Sequence, residues 1–130
     1  MNFLNHISFV FVICLMTTCR PLVITSLDAD LFDETLKQTP DPQLIDVRTY
    51  SEFAQGYLAG AILMDIRKPA TFDSLIHQLD RSRPVFVYCR LGRRSMDAAK
   101  ILEKKKFTQV YNLGGGIIEW TEKGKEVVTE

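Results

Sequence analysis

The run Val85-Phe86-Val87-Tyr88 limits the fold more tightly than any other stretch of the chain. Every residue in it is β-branched or aromatic, so it reads as a strand. It has no polar face, the pattern of a parallel strand covered by helices on both sides. The run stops at Cys89. A short loop follows, Arg90-Leu91-Gly92-Arg93-Arg94, and from Ser95 the apolar residues Met96, Ala99 and Leu102 share one helical face. The spacing predicts a helix over 95–105, so the Cys89 thiol stands where a buried strand hands over to a helix N-terminus.

The same alternation recurs along the chain. Strands are predicted over 22–25, 43–47, 60–64 and 109–112, and helices over 29–37, 52–55, 72–79 and 117–121. Ser26 or Asp28 can cap the first helix, with Leu31, Phe32, Thr35 and Leu36 on its inner side, and Pro40 and Pro42 end it. Thr49-Tyr50-Ser51-Glu52 is a capping-box pattern. Phe72, Leu75, Ile76 and Leu79 share a face from which His77 is excluded, which makes His77 a surface residue. Gly114-Gly115-Gly116 reads as a flexible turn, and without a following Lys-Ser or Lys-Thr it is no phosphate loop. The whole predicts an α/β domain over 22–130: an open, mainly parallel sheet of about five strands with helices on both faces. Ligands of such sheets gather beyond the carboxyl ends of the strands, where Cys89 falls.

A thiolate is favoured at that position. The first amides of a helix lack intrahelical partners, the macrodipole adds partial positive charge, and successive amides can curl into an anion nest. Gly92 allows positive φ or close approach to an anion. Arg90, Arg93 and Arg94 crowd three like charges into five residues, which repel one another unless an anion visits. The Cys89 pKa is therefore expected below the free value of about 8.5.

Cys89-Arg90-Leu91-Gly92-Arg93-Arg94-Ser95 resembles the active-site loop of the single-domain rhodanese family of sulfurtransferases. Protein phosphatases also hold a catalytic Cys in an anion loop, but theirs runs Cys-x5-Arg. Here Ser95 fills that position and the Arg stands one residue earlier, at Arg94. Asp46-Val47-Arg48 with Glu52-Phe53 is similar to the family's D-V-R-x-x-x-E-[FY] stretch. Gly56 to Ile62 resembles its G-H-I-P-G-A-I, with Tyr57 and Ala59 in place of His and Pro, and Leu113 to Trp120 resembles its closing G-G-x-x-x-W. The departures at Tyr57 and Ala59 bear on turn geometry more than on chemistry.

The resemblance implies sulfane-sulfur transfer through a persulfide on Cys89, with the loop Arg90, Leu91, Gly92, Arg93, Arg94 and Ser95 binding the substrate. The arginines would attract a small anionic donor such as thiosulfate; the acceptor would be a thiol, small or on a protein, or cyanide. No metal and no organic cofactor is expected beyond the transient persulfide. Asp46, Arg48 and Glu52 read as scaffold: Asp46 accepting backbone hydrogen bonds near the loop, Arg48 pairing with Glu52. Two alternatives stand: a phosphatase or arsenate reductase using the same thiolate, and a non-catalytic persulfide carrier.

Composition narrows the partners. The 16 basic and 16 acidic residues cancel, so no global field points to nucleic acid or a membrane surface. Residues 1–19 differ from the rest. Residues 7–16 are almost wholly apolar, roughly half the length of about 20 needed to span a bilayer, and fit the h-region of an export signal. Leu15-Met16-Thr17-Thr18-Cys19 resembles a bacterial lipoprotein signal, which implies export to the periplasm or cell envelope with a lipid on Cys19. A hydrophobic N-terminal strand or helix packed on the domain is the other reading. Were Cys14 removed and Cys19 acylated, Cys89 would be the one free thiol of the three cysteines.

Overall fold

The computed structural model describes residues 21–130; the expectations for residues 1–19, with Cys14 and Cys19, lie outside the described residues. Strands β1 (Ile24–Leu27), β2 (Gln43–Asp46), β3 (Ile62–Leu63), β4 (Val85–Tyr88) and β5 (Val110–Leu113) form one sheet in the order β1-β5-β4-β2-β3. Every neighbouring pair is parallel. The all-apolar strand β4 takes the centre. Its side chains alternate: Val85 and Val87 join one core, Phe86 and Tyr88 the other. Helices α3 (Pro69–Ile76) and α4 (Arg93–Lys104) cover the first face with Phe72, Ile76, Ala98, Ala99 and Leu102. Helices α1 (Ala29–Gln38) and α5 (Gly116–Glu122) cover the second with Phe32, Ile117 and Trp120. There the Phe32 ring meets Phe86 edge-on at 5.4 Å and Trp120 at 6.4 Å, a geometry that suits aromatic quadrupoles.

The differences from the sequence expectation are local. Strand β1 starts two residues later than expected because its register pairs Ile24 with Val110 and Leu27 with Leu113, which leaves Leu22 outside and 80% exposed. Asp28, not Ser26, caps α1 by accepting from the Leu31 N–H at 2.9 Å. Leu31 is half exposed, not inward, because α1 turns Ala29 and Phe32 to the sheet and Leu31 falls one step round the helix. Helix α3 starts at Pro69, where a missing N–H costs nothing. Tyr57 departs from the family pattern without disrupting its turn: its ring stacks on Phe53 at 4.0 Å, and its main chain pairs with Val128.

The chain leaves β2 for β3 on one side and β4 for β5 on the other. The sheet therefore has its switch point between β2 and β4, and a crevice is expected beyond their carboxyl ends. Helix α2 (Tyr50–Phe53) follows β2 and α4 follows β4, so both borders of that crevice are short connections into helices.

Candidate active site

Cys89 is the residue immediately after β4, and it is buried, with 1% of its surface exposed. The loop turns back at Gly92, whose φ of 93° lies in the left-handed region, and α4 begins at Arg93. A side chain at Gly92 would overlap the Gly114 carbonyl, and one at Gly116, also at positive φ, would overlap the Arg90 carbonyl. The glycine turn is thus packed against the loop, which corrects the expectation of a flexible turn. The Cys89 carbonyl accepts from the Ile117 N–H at 2.9 Å, and the Arg90 carbonyl from the Ile118 N–H at 3.3 Å. Both donors belong to the first turn of α5, where amides have no intrahelical partner. With two of its carbonyls held from behind, the loop keeps N–H groups for the sulfur.

The Gly92 N–H at 3.1 Å and the Ser95 hydroxyl at 3.3 Å donate to Sγ, and the Leu91 and Ser95 N–H groups act on it as well. Burial pushes the thiol pKa up, but the Ser95 hydroxyl and the main-chain N–H groups of Ser95, Leu91 and Gly92 outweigh it, and the net shift is downward. The amide nest expected at the helix N-terminus, with the Ser95 hydroxyl added to it, thus supplies the leading downward causes. Cys89 lines a cavity of about 390 Å³ together with Arg67, Arg90, Leu91, Arg93, Arg94 and Asp97.

The arginines divide. Arg94 spans the crevice to Glu52 in a two-pronged ion pair, Nη1 to Oε2 and Nη2 to Oε1, each 2.8 Å. Arg90, Arg93 and Arg67 have no ion-pair partner among the described residues. Arg94 is thus committed, and the free positive charge is carried by the other three.

The expected scaffold pairing is also corrected. Arg48 pairs with Asp46, not Glu52: Nη2 lies 2.7 Å from Oδ2, and the Arg48 guanidinium also donates to the Gly56 carbonyl at 2.7 Å. Asp46 accepts from the Arg48 N–H at 2.9 Å and not from the loop around Cys89. Asp46 is fully buried, and its carboxylate is nearest to a guanidinium two residues away, which satisfies it within its own turn. Glu52 closes the capping box on Thr49 and takes Arg94 with its remaining lone pairs.

Arg67 and Asp97 went unnoticed in the sequence. Arg67 follows β3, a parallel neighbour of β2, and its N–H is held by the Asp65 carboxylate at 2.8 Å. The rule that sites lie beyond the carboxyl ends of strands applies to β3 as it does to β4, and would have found it.

Comparison with known proteins gives one consistent result. The sequence profile of the rhodanese-like domain matches residues 28–123. A sulfurtransferase of Allochromatium vinosum is 31% identical over 106 residues, covering 82% of this chain and 96% of that one. The thiosulfate sulfurtransferase GlpE of Shewanella oneidensis is 36% identical over 80 residues, covering 62% and 76%. Among solved structures, the polysulfide-sulfur transferase homodimer of Wolinella succinogenes superposes with a TM-score of 0.68 at 29% identity, covering 82% of this chain and 80% of that one.

Proposed function

Because the chain belongs to the rhodanese-like family, we propose that it is a sulfurtransferase that moves sulfane sulfur through a persulfide on Cys89, from a small anionic donor such as thiosulfate to a thiol or cyanide. The observation that carries this reading is the buried Cys89 sulfur held by the Gly92 N–H and the Ser95 hydroxyl, in a cavity also lined by the guanidinium groups of Arg67, Arg90 and Arg93, unpaired among the described residues.

The chemistry follows in two half-reactions. The Cys89 thiolate attacks the outer sulfur of thiosulfate, the S–S bond of the donor breaks, and sulfite leaves with the electron pair. The enzyme then carries Cys89 with one extra sulfur and one negative charge. That charge, shared with the outer sulfur, is stabilised by main-chain N–H groups already oriented before the donor arrives, which is where a fixed dipole lowers a barrier most. Arg90, Arg93 and Arg67 draw in the dianion. The acceptor anion then attacks the outer sulfur and the pair returns to Sγ. No proton has to move at Cys89 once it is ionised, so the site needs no acid or base beside it and no cofactor.

Steady-state kinetics test this. Varying thiosulfate at several cyanide concentrations should give the parallel lines of a ping-pong reaction, and Cys89→Ser should abolish turnover. Turnover surviving in Cys89→Ser would end the assignment. The N-terminal reading adds a location, export to the cell envelope with a lipid on Cys19. Radioactive palmitate should label the wild-type chain and not Cys19→Ala; equal labelling of both would contradict it.

A further inference from the structure

A further cavity of about 380 Å³ is lined by Ser26, Asn112 and Gly114, at the carboxyl ends of β1 and β5, and by Arg93, Met96 and Asp97 of α4. The volume is in the range of small-molecule sites, about 300 Å³ and upward. Arg93 and Asp97 also line the Cys89 cavity; Ser26, Asn112 and Gly114 do not. The fold leaves two features of this lining unsatisfied. Asn112 is 2% exposed, and its Nδ2 donates to the Ser26 hydroxyl oxygen at 3.1 Å, but its Oδ1 has no hydrogen-bond partner among the described residues. A buried acceptor left empty is costly, and Asn112 stands in register with Val87 of β4, where an apolar side chain serves. Arg93 and Asp97, one helical turn apart, form no ion pair with each other or with any other described residue. The cation precedes the acid, the less favourable order for such a pair on a helix.

We propose that this cavity binds a small apolar α-amino acid, with its ammonium on Asn112 Oδ1 and Asp97 and its carboxylate on Arg93. Simpler ligands leave part of the lining unused. An anion without donors suits Arg93, but it meets the Asp97 carboxylate and brings nothing to Asn112. A plain amine suits Asp97 and Asn112 and leaves Arg93 idle. A zwitterion uses all three, through hydrogen bonds of the stronger, charge-assisted kind. The Ser26 hydroxyl accepts from Asn112 and keeps its own proton for the ligand carboxylate. The ligand's side chain has Met96 and Leu91 to lie against; Leu91 also lines the cavity and is 56% exposed. The binding stands apart from the sulfur-transfer reading, and one consequence rests on that reading. Arg93 serves both cavities, so a carboxylate held on it withdraws positive charge from an anion at Cys89, and the amino acid acts as a brake on donor binding. Linkage makes the effect reciprocal: a bound donor anion weakens the amino acid by the same factor.

L-Norleucine is the probe, with hexanoate and pentylamine as the same skeleton lacking the ammonium or the carboxylate. Binding is read by NMR on Cys89→Ser, so that no sulfur chemistry intervenes. The main-chain amides of Ser26 and Gly114 and the side-chain amide of Asn112 report this cavity; those of Arg67 and Arg90 report the other. Norleucine should shift the first set to saturation and bind about tenfold tighter than either analogue. Shifts confined to Arg67 and Arg90, or equal affinity for all three compounds, overturn the proposal. Asp97 is exposed, so Asp97→Asn need not disturb the core. It should weaken norleucine about tenfold without weakening hexanoate, and an unchanged norleucine affinity overturns the proposal. Asn112→Leu keeps the size, removes the acceptor, and should weaken norleucine and pentylamine alike; if it does not fold, Asp97→Asn decides. In wild type, saturating norleucine should raise the KM for thiosulfate about threefold with kcat unmoved, the size of a partly screened ion pair. An unmoved KM overturns the brake. If thiosulfate never loads Cys89 yet the norleucine shifts saturate, the sulfur-transfer reading fails and the cavity assignment stands; absent shifts with normal loading give the reverse.

Discussion

The carboxyl ends of β2 and β4 are neighbours in the sheet, carry similar numbers of charged residues, and use them in opposite ways. After β2, every charge is satisfied at home or by one fixed partner: Asp46 with Arg48, and Glu52 with Thr49 and Arg94. After β4, a sulfur atom is held by uncharged donors, and Arg90 and Arg93 remain without an ion-pair partner among the described residues. Paired charge in a buried turn fixes geometry and leaves nothing over for a ligand. Hydrogen-bond donors aimed at one atom, with loose cations at the rim, do the reverse. If the β2 end holds the fold and the β4 end holds the chemistry proposed above, damage should separate along the same line.

The largest stability effect is expected from Asp46→Ala. It leaves the buried Arg48 guanidinium without its carboxylate, and breaking a buried pair in this way costs about 3–5 kcal/mol. Urea unfolding reads this directly, and a loss of under about 1 kcal/mol would mean that the Asp46–Arg48 pair does not hold the β2 end together. Next comes Gly92→Ala. Strain at positive φ costs about 1–3 kcal/mol, and the overlap with the Gly114 carbonyl must push the loop away from Sγ. Alkylation of Cys89 at neutral pH should then slow markedly in a protein that is still folded. Unchanged alkylation would mean that the nest does not depend on this turn.

Smaller effects sharpen the line between the two ends. Ser95→Ala removes the hydroxyl on Sγ, so the alkylation midpoint should move up toward the ordinary thiol value, with a stability change of about 1 kcal/mol. A midpoint that stays put would assign the thiolate to other causes. Smallest is the pH response of the bridge between the ends. The Arg94 guanidinium, with hydrogen bonds from Thr49, holds the Glu52 carboxyl well below its ordinary 4.5. A depressed carboxyl pKa adds stability above the unfolded-state value and loses it as pH falls through the folded-state value. Wild type should therefore lose a component of stability below about pH 4.5 that Glu52→Gln lacks, worth at most about 1 kcal/mol because the pair is partly exposed.

Much of the fold was legible because it follows from local patterns. The all-apolar strand, the capping box at Thr49 and the position of Cys89 at a strand-to-helix junction each depend on a few adjacent residues. What could not be read depends on partners far apart in sequence. Glu52 and Arg94 are 42 residues apart, and nothing near either one says that it will find the other and not Arg48. The division of the loop arginines into one committed and two free follows from that single pairing. Likewise the glycine turn looks flexible in isolation, and only its contact with Arg90 and Gly92 explains why side chains are excluded there.

The measurement closest to the central claim is the intact mass of the purified protein after incubation with thiosulfate, before and after cyanide. Wild type should gain the mass of one sulfur atom, removed by cyanide, and Cys89→Ser should gain none. A mass unchanged by thiosulfate, or a gain that Cys89→Ser retains, would contradict that claim.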